Sequence, residues 1–132
     1  MQLTSRILKF GLAGGIGFAV DAGVLMTLVW TGMDPVPARC LSIGCALVST
    51  WLVNRSLTFA DRAPSRPNLP EFLRYASASM LALLVNFAIY WLLLRWQGIF
   101  TQWPVLAVAL ATAVSMCVNF VSYFKVVFAR KH

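Results

Sequence analysis

Acidic residues are nearly missing from this chain of 132: four Asp/Glu stand against eleven Lys/Arg, and all charged residues together make up 11%. Histidine occurs once, as the terminal His132, and the three cysteines (Cys40, Cys45, Cys117) fall inside apolar runs. This inventory has no metal-ligand spacing and no Ser/His or Cys/His pair for nucleophilic catalysis. Asp34, Asp61 and Glu71 fall in loops or at a helix edge, which leaves Asp21 as the one buried acid and no carboxylate pair for acid/base work. No metal, no cofactor and no enzymatic role are therefore expected, and the cysteines read as small hydrophobes packed between helices. Scarcity of polar residues also excludes disorder. A single soluble core is excluded too, because a chain this short cannot hide an apolar content of 60%. An integral membrane protein remains. The net charge of +7 sits at the ends of apolar runs, where it reads as topology and contact with membrane lipids rather than nucleic-acid binding.

A spanning helix needs about 20 mostly apolar residues. Four stretches qualify: 7–30, 36–59, 72–94 and 104–126. They predict an all-α, four-transmembrane-helix bundle spanning 1–132 as one membrane domain. The connection 60–70 carries Pro64, Pro67 and Pro70 among polar residues and reads as a surface loop. The first stretch resembles a signal peptide only superficially, being too long and lacking a small-x-small cleavage site, so it is expected to stay. With the N-terminus inside, Arg6, Lys9, Arg55, Arg62, Arg66, Arg74, Lys125, Arg130 and Lys131 lie on the inner side, against Arg39 and Arg95 outside. That bias predicts cytoplasmic termini, with Trp30, Trp96 and Trp103 in the outer aromatic belt.

The two halves match. An offset of 65 pairs Lys9 with Arg74, Phe10 with Tyr75 and Asp21 with Asn86; an offset of 69 pairs Pro35 with Pro104, Ala38 with Ala107 and Phe59 with Phe128. Each half starts inside, crosses and returns, so the expectation is a parallel repeat of helical hairpins about an axis along the membrane normal. Asp21 and Asn86 would then face one cavity from two sides.

Asp21 lies about 12 residues, or 18 Å, past the inner end of its stretch, where an ionised carboxylate costs about 3 kcal/mol on insertion scales. It reads as a substrate or proton site, or as a structural acid bonded to Asn86 or Thr27. Asn86 and Asn119 serve either as ligands or as interhelical hydrogen-bond glue. Gly11, Gly14, Gly15 and Gly17 give small-xxx-small spacing on the first helix, the pattern of close helix packing. Asn54-Arg55-Ser56-Leu57-Thr58-Phe59 closes the second stretch, and Arg55 reads as a phosphate ligand or an interfacial anchor. The segment Pro70–Tyr75 reads as a short amphipathic stretch lying on the inner surface. Lys9, Arg55, Arg74 and Lys125 would ring the inner mouth of the bundle.

Lys9-Phe10 with Gly14-Gly15 and Asp21, Asn54-Arg55-x-x-Thr58-Phe59, Phe72-x-Arg74-Tyr75 with Asn86, and Asn119-Phe120 with Val127-Phe128 together resemble the GtrA-like family. The pattern covers residues 6–129. Thr50-Trp51 stands where the family often has Asn-Phe, and Phe124-Lys125 where it often has an Arg. The resemblance implies a bacterial inner-membrane protein of cell-surface polysaccharide synthesis. It would flip a polyprenyl-phosphate-linked sugar, such as one on undecaprenyl phosphate, to the outer leaflet beside a glycosyltransferase. Such a cargo joins an apolar tail, an anionic linkage and a hydroxyl-rich head that cannot cross hydrocarbon unaided. Arg55, Arg74, Lys9 and Lys125 suit the phosphate, and Asp21, Asn86, Asn119 and Asn54 suit the hydroxyls. Four helices leave little room for a sugar, which points to a homodimer. Two rival readings are a proton-coupled exporter of the small multidrug resistance type, disfavoured by the charge bias and the basic mouth, and a non-transporting anchor for a glycosyltransferase.

Overall fold

The computed structural model describes residues 2–96 and 98–129. Arg130 and Lys131, used in the orientation count, and His132 lie outside the described residues. Every regular element among the described residues is helical. The chain forms two compact units, Met1–Asn68 and Leu69–His132, each a helical hairpin.

In the first unit α1 (Leu3–Trp30) turns into α2 (Pro35–Val53), which continues as a π-turn, Asn54–Thr58. Thr31 and Gly32 stop α1: Gly32 takes φ +96°, a left-handed conformation that costs glycine nothing, and Met33 N–H donates back to Leu28 O. Pro35 then opens α2, where a missing N–H has no helical acceptor to lose. The two helices meet on small residues: Ala13, Gly17, Ala38 and Ser42 are buried, and a Cβ at Gly17 would overlap Thr50 Cγ2. Gly11, Gly14 and Gly15 have nothing within 4 Å of a built Cβ, so of the expected glycine stripe only Gly17 makes a close approach.

The second unit runs α3 (Leu69–Arg95), a one-turn α4 (Ile99–Gln102) and α5 (Pro104–Ser122), which ends in another π-turn, Tyr123–Val127. Its interior is again made of small residues, Ala82, Ala107, Ala111 and Ser115. The π-turns lie 69 residues apart and close alike: Phe59 N–H donates to Asn54 O and Phe128 N–H to Tyr123 O, both at 2.8 Å, and both phenylalanine rings are buried.

Four helical segments, Leu3–Trp30, Pro35–Thr58, Leu69–Arg95 and Val105–Val127, are long and apolar enough to cross a membrane. Little of each is buried against protein, and side chains such as Leu8, Phe18, Met26, Leu84 and Phe87 stand exposed. Apolar area of that kind is compatible with water only when lipid covers it. The chain is a multi-pass membrane protein.

Three expectations need correction. The segment Pro70–Tyr75 is not a separate surface stretch but part of α3, with Glu71 and Tyr75 buried. Glu71, expected at a helix edge, is fully buried, whereas Asp21, expected to be the one buried acid, is only partly so. The cysteines are exposed rather than packed between helices, because the interhelical positions are taken by Ala, Gly and Ser.

Candidate functional site

In the first unit the acid of α1 is met by an arginine of α2. Arg39 Nη1 donates to both oxygens of Asp21, at 2.6 and 2.7 Å. Arg39, expected as an outer-side charge, lies on the second turn of α2 and turns its guanidinium to the acid of α1. The helix start explains the encounter. With α1 beginning at Leu3, its centre falls between Ile16 and Gly17, and Asp21 lies about 7 Å from it toward Trp30. That shift brings the acid within reach of a long side chain on the first turns of α2. Ser42, fully buried beside the pair, donates its hydroxyl to Arg39 O at 3.0 Å. Thr27, considered as a partner of Asp21, donates to Gly23 O of its own helix. Asp21 also lines a groove of about 290 Å³ with Gly14, Gly17, Phe18, Ile43, Ala46, Leu47 and Thr50.

The other end of this hairpin is organised by Arg6. Its guanidinium is 4% exposed, donates to Asp61 Oδ1 and Oδ2 at 3.1 and 3.0 Å and to Thr58 O at 2.9 Å, and lies 5.5 Å from the Phe59 ring centroid. A π-turn displaces carbonyls from the regular helical ladder, and Arg6 supplies a charged donor to one of them. The hydrogen bonds from Arg6, together with its charge, hold the Asp61 carboxyl below the ordinary carboxylate range, against the opposing effect of burial. Asn54 is buried inside the same turn, its Oδ1 accepting from the Thr58 hydroxyl at 2.9 Å. Arg55 donates to Pro64 O, which ties the loop back to α2. Lys9 is half-buried on α1.

In the second unit Asn86 Nδ2 donates to Ser115 Oγ at 3.1 Å, and that hydroxyl donates to Thr112 O. The Tyr75 and Tyr123 rings stack at 4.2 Å, with the Tyr123 hydroxyl 2.5 Å from Ser79 Oγ. Asn119 is half-buried, and its Oδ1 is enclosed with no hydrogen-bond partner among the described residues. Arg74 is exposed on α3 and lines a groove of about 400 Å³ with Leu73, Ser77, Ala78, Leu81, Ser122 and Val126. Lys125 is exposed on the π-turn, while Phe124 beside it stacks on Phe120 at 6.2 Å.

Each hairpin therefore gathers its own polar residues: Asp21 with Arg39 in one, Asn86 with Ser115 in the other. Sequence reading missed Arg39 as a partner, the pairing of buried Arg6 with Asp61, and the enclosed Glu71. Two signals were present. An acid within a spanning segment needs a cation, and the next helix offers one near its start; and position 6 maps onto position 71 at the offset of 65, marking both as special sites of their first turns.

The family model for the GtrA/DPMS transmembrane domain matches residues 9–128. No curated protein matches the chain closely enough to count as a relative. The matched span takes in most of the first membrane-length helix, all of the other three, both π-turns and the loop between the hairpins, and the chain belongs to the GtrA/DPMS transmembrane-domain family.

Proposed function

We propose that this protein moves a polyprenyl-phosphate-linked sugar from the cytoplasmic to the outer leaflet of a bacterial inner membrane, for cell-surface polysaccharide synthesis. Both termini are taken as cytoplasmic, following the excess of Lys and Arg on that side. The observation that carries the reading is the groove on the second hairpin. It is lined by Leu73, Ala78, Leu81 and Val126, by Ser77 and Ser122, and by the exposed Arg74. A mostly apolar trough that includes a permanently charged planar fork suits a lipid chain that ends in phosphate. Membership of a family associated with glycosyl carrier lipids supports the same cargo. Lys125 is another exposed cation on this hairpin. Asp21, Asn86 and Asn119 supply oxygens and amides within the spans, where a sugar hydroxyl loses its water and needs replacement partners. The two hairpins, with matching π-turns, are read as one unit used twice.

The test is transport by the purified chain in vesicles, using a fluorescent polyprenyl-phosphate hexose and a membrane-impermeant quencher. The wild type should move the lipid without any glycosyltransferase present, which a mere anchoring subunit would not do. Arg74→Ala should slow it about tenfold, the effect of losing one charge-assisted hydrogen bond of ~1.5 kcal/mol. Undiminished transport in Arg74→Ala and Asp21→Asn would refute the reading.

A further inference from the structure

Asp21 engages Arg39 through one nitrogen only. Both carboxylate oxygens sit on Nη1, and Nε and Nη2 have no hydrogen-bond partner among the described residues. The Arg39 side chain is 50% exposed. A guanidinium carries five N–H donors arranged as a fork, so the pair as built leaves an open edge of donors pointing away from the acid. Position adds meaning to that edge. Arg39 is the fifth residue of α2 and Arg55 lies in the π-turn at its other end. At 1.5 Å per residue the two are separated by about 24 Å, close to the ~30 Å of a hydrocarbon core. One helix thus places an arginine near each headgroup layer.

We infer that Arg39 receives the phosphate of the carrier lipid in the leaflet that holds the turn between α1 and α2, and that Asp21, sharing the same guanidinium, keeps that hold weak enough for release. The inference rests on the carrier reading above and assigns it a second anion site. A lone arginine in a low-dielectric layer would bind phosphate tightly and retain it, since attraction between unit charges grows as water is excluded. A carboxylate already on Nη1 halves the problem: it neutralises the cation when no cargo is present and repels the phosphate once it arrives. Conduction through a chain of sites requires binding that is favourable on entry and weak on exit. Asp21 is in this sense a positioning residue for Arg39, and the buried Ser42, bonded to Arg39 O, braces the backbone that carries it.

The experiment is photo-crosslinking of the full chain in zwitterionic vesicles, with a polyprenyl phosphate bearing a diazirine next to the phosphate, read by peptide mass. Adducts are expected on Val36–Ile43, and absent with a diazirine polyprenol of equal length. Asp21→Asn should raise them about tenfold, the change that ~1.4 kcal/mol of added affinity produces. Arg39→Lys keeps a cation for Asp21, and so keeps the fold, but offers a point charge without a fork; it should lower the adducts about tenfold. Equal labelling by alcohol and phosphate, no loss in Arg39→Lys, or loss of all adducts when phosphatidylglycerol is added would each overturn the inference, the last by assigning Arg39 to bulk headgroups. Adducts on Leu73–Leu81 alone would also overturn it while leaving the carrier reading intact. Adducts on neither segment would remove both.

Discussion

Removing the Arg6 side chain tests the organisation of the first hairpin most directly. Arg6 is buried, and its hydrogen bonds include two to Asp61 and one to Thr58 O. Breaking a buried ion pair by deleting one partner costs about 3–5 kcal/mol. The Asp61 side chain, however, keeps 28% exposure and can recover water, so Arg6→Met is expected to cost about 2–3 kcal/mol. Asp61→Asn should cost about 1 kcal/mol, since Thr58 O and the Phe59 ring still hold the guanidinium. The double variant should cost less than the sum, with a coupling of about 1–2 kcal/mol. Unfolding by dodecyl sulfate in mixed micelles, followed by helical circular dichroism, measures all four corners of the cycle. The pH dependence supplies an independent check. Asp61 has a depressed carboxyl pKa in the folded state, so its contribution is complete above its ordinary value of 3.8 and is lost as pH falls through the lower folded value. Wild type should therefore weaken in strong acid more than Asp61→Asn does. A cost for Arg6→Met within ~0.5 kcal/mol of zero, the range of an uncoupled surface change, would refute the assignment.

Two further outcomes follow from the packing. Gly17→Ala should destabilise the first hairpin by about 1–3 kcal/mol through overlap with Thr50 Cγ2, and Thr50→Ser, which deletes that methyl, should restore most of it in the same micelle titration. Tyr123→Phe should cost about 1 kcal/mol by losing the bond to Ser79, while the ring stack on Tyr75 persists. A similar loss in a variant already lacking the Ser79 hydroxyl would show that the bond is not the cause.

The four spans were legible because length and hydropathy alone decide whether a segment crosses lipid. The expected stretches 7–30, 36–59, 72–94 and 104–126 agree with Leu3–Trp30, Pro35–Thr58, Leu69–Arg95 and Val105–Val127 to within a few residues at each end. The pairing of side chains was less legible. Arg39 was counted only for its side of the membrane, and the count said nothing of Asp21, which its long side chain reaches across the hairpin. Arg6 and Asp61 are 55 residues apart in sequence, and charge counting treats both as solvent-facing. Nothing local says that a π-turn at Asn54–Thr58 will displace a carbonyl that an arginine then satisfies. Glu71 was misjudged for the same reason: position near a helix start says where the backbone is, not which way it faces.

The two hairpins share a plan but differ in how their cations are held, and the difference bears on the carrier reading. In the first, Arg6, Arg39 and Arg55 each donate to an oxygen of their own hairpin: Asp61 and Thr58 O, Asp21, and Pro64 O. A phosphate arriving at any of these competes with an oxygen already in place. In the second, Arg74 and Lys125 are exposed and have no partner among the described residues. A phosphate arriving there displaces only water and gains a charge-assisted contact outright. On that reading, first capture falls to the second hairpin, where nothing must be broken. Release falls to the first, where Asp21 stands ready to take Arg39 back. On that reading the two hairpins differ in function because the arginine of one is held by an acid, Asp21, while Arg74 of the other stands open.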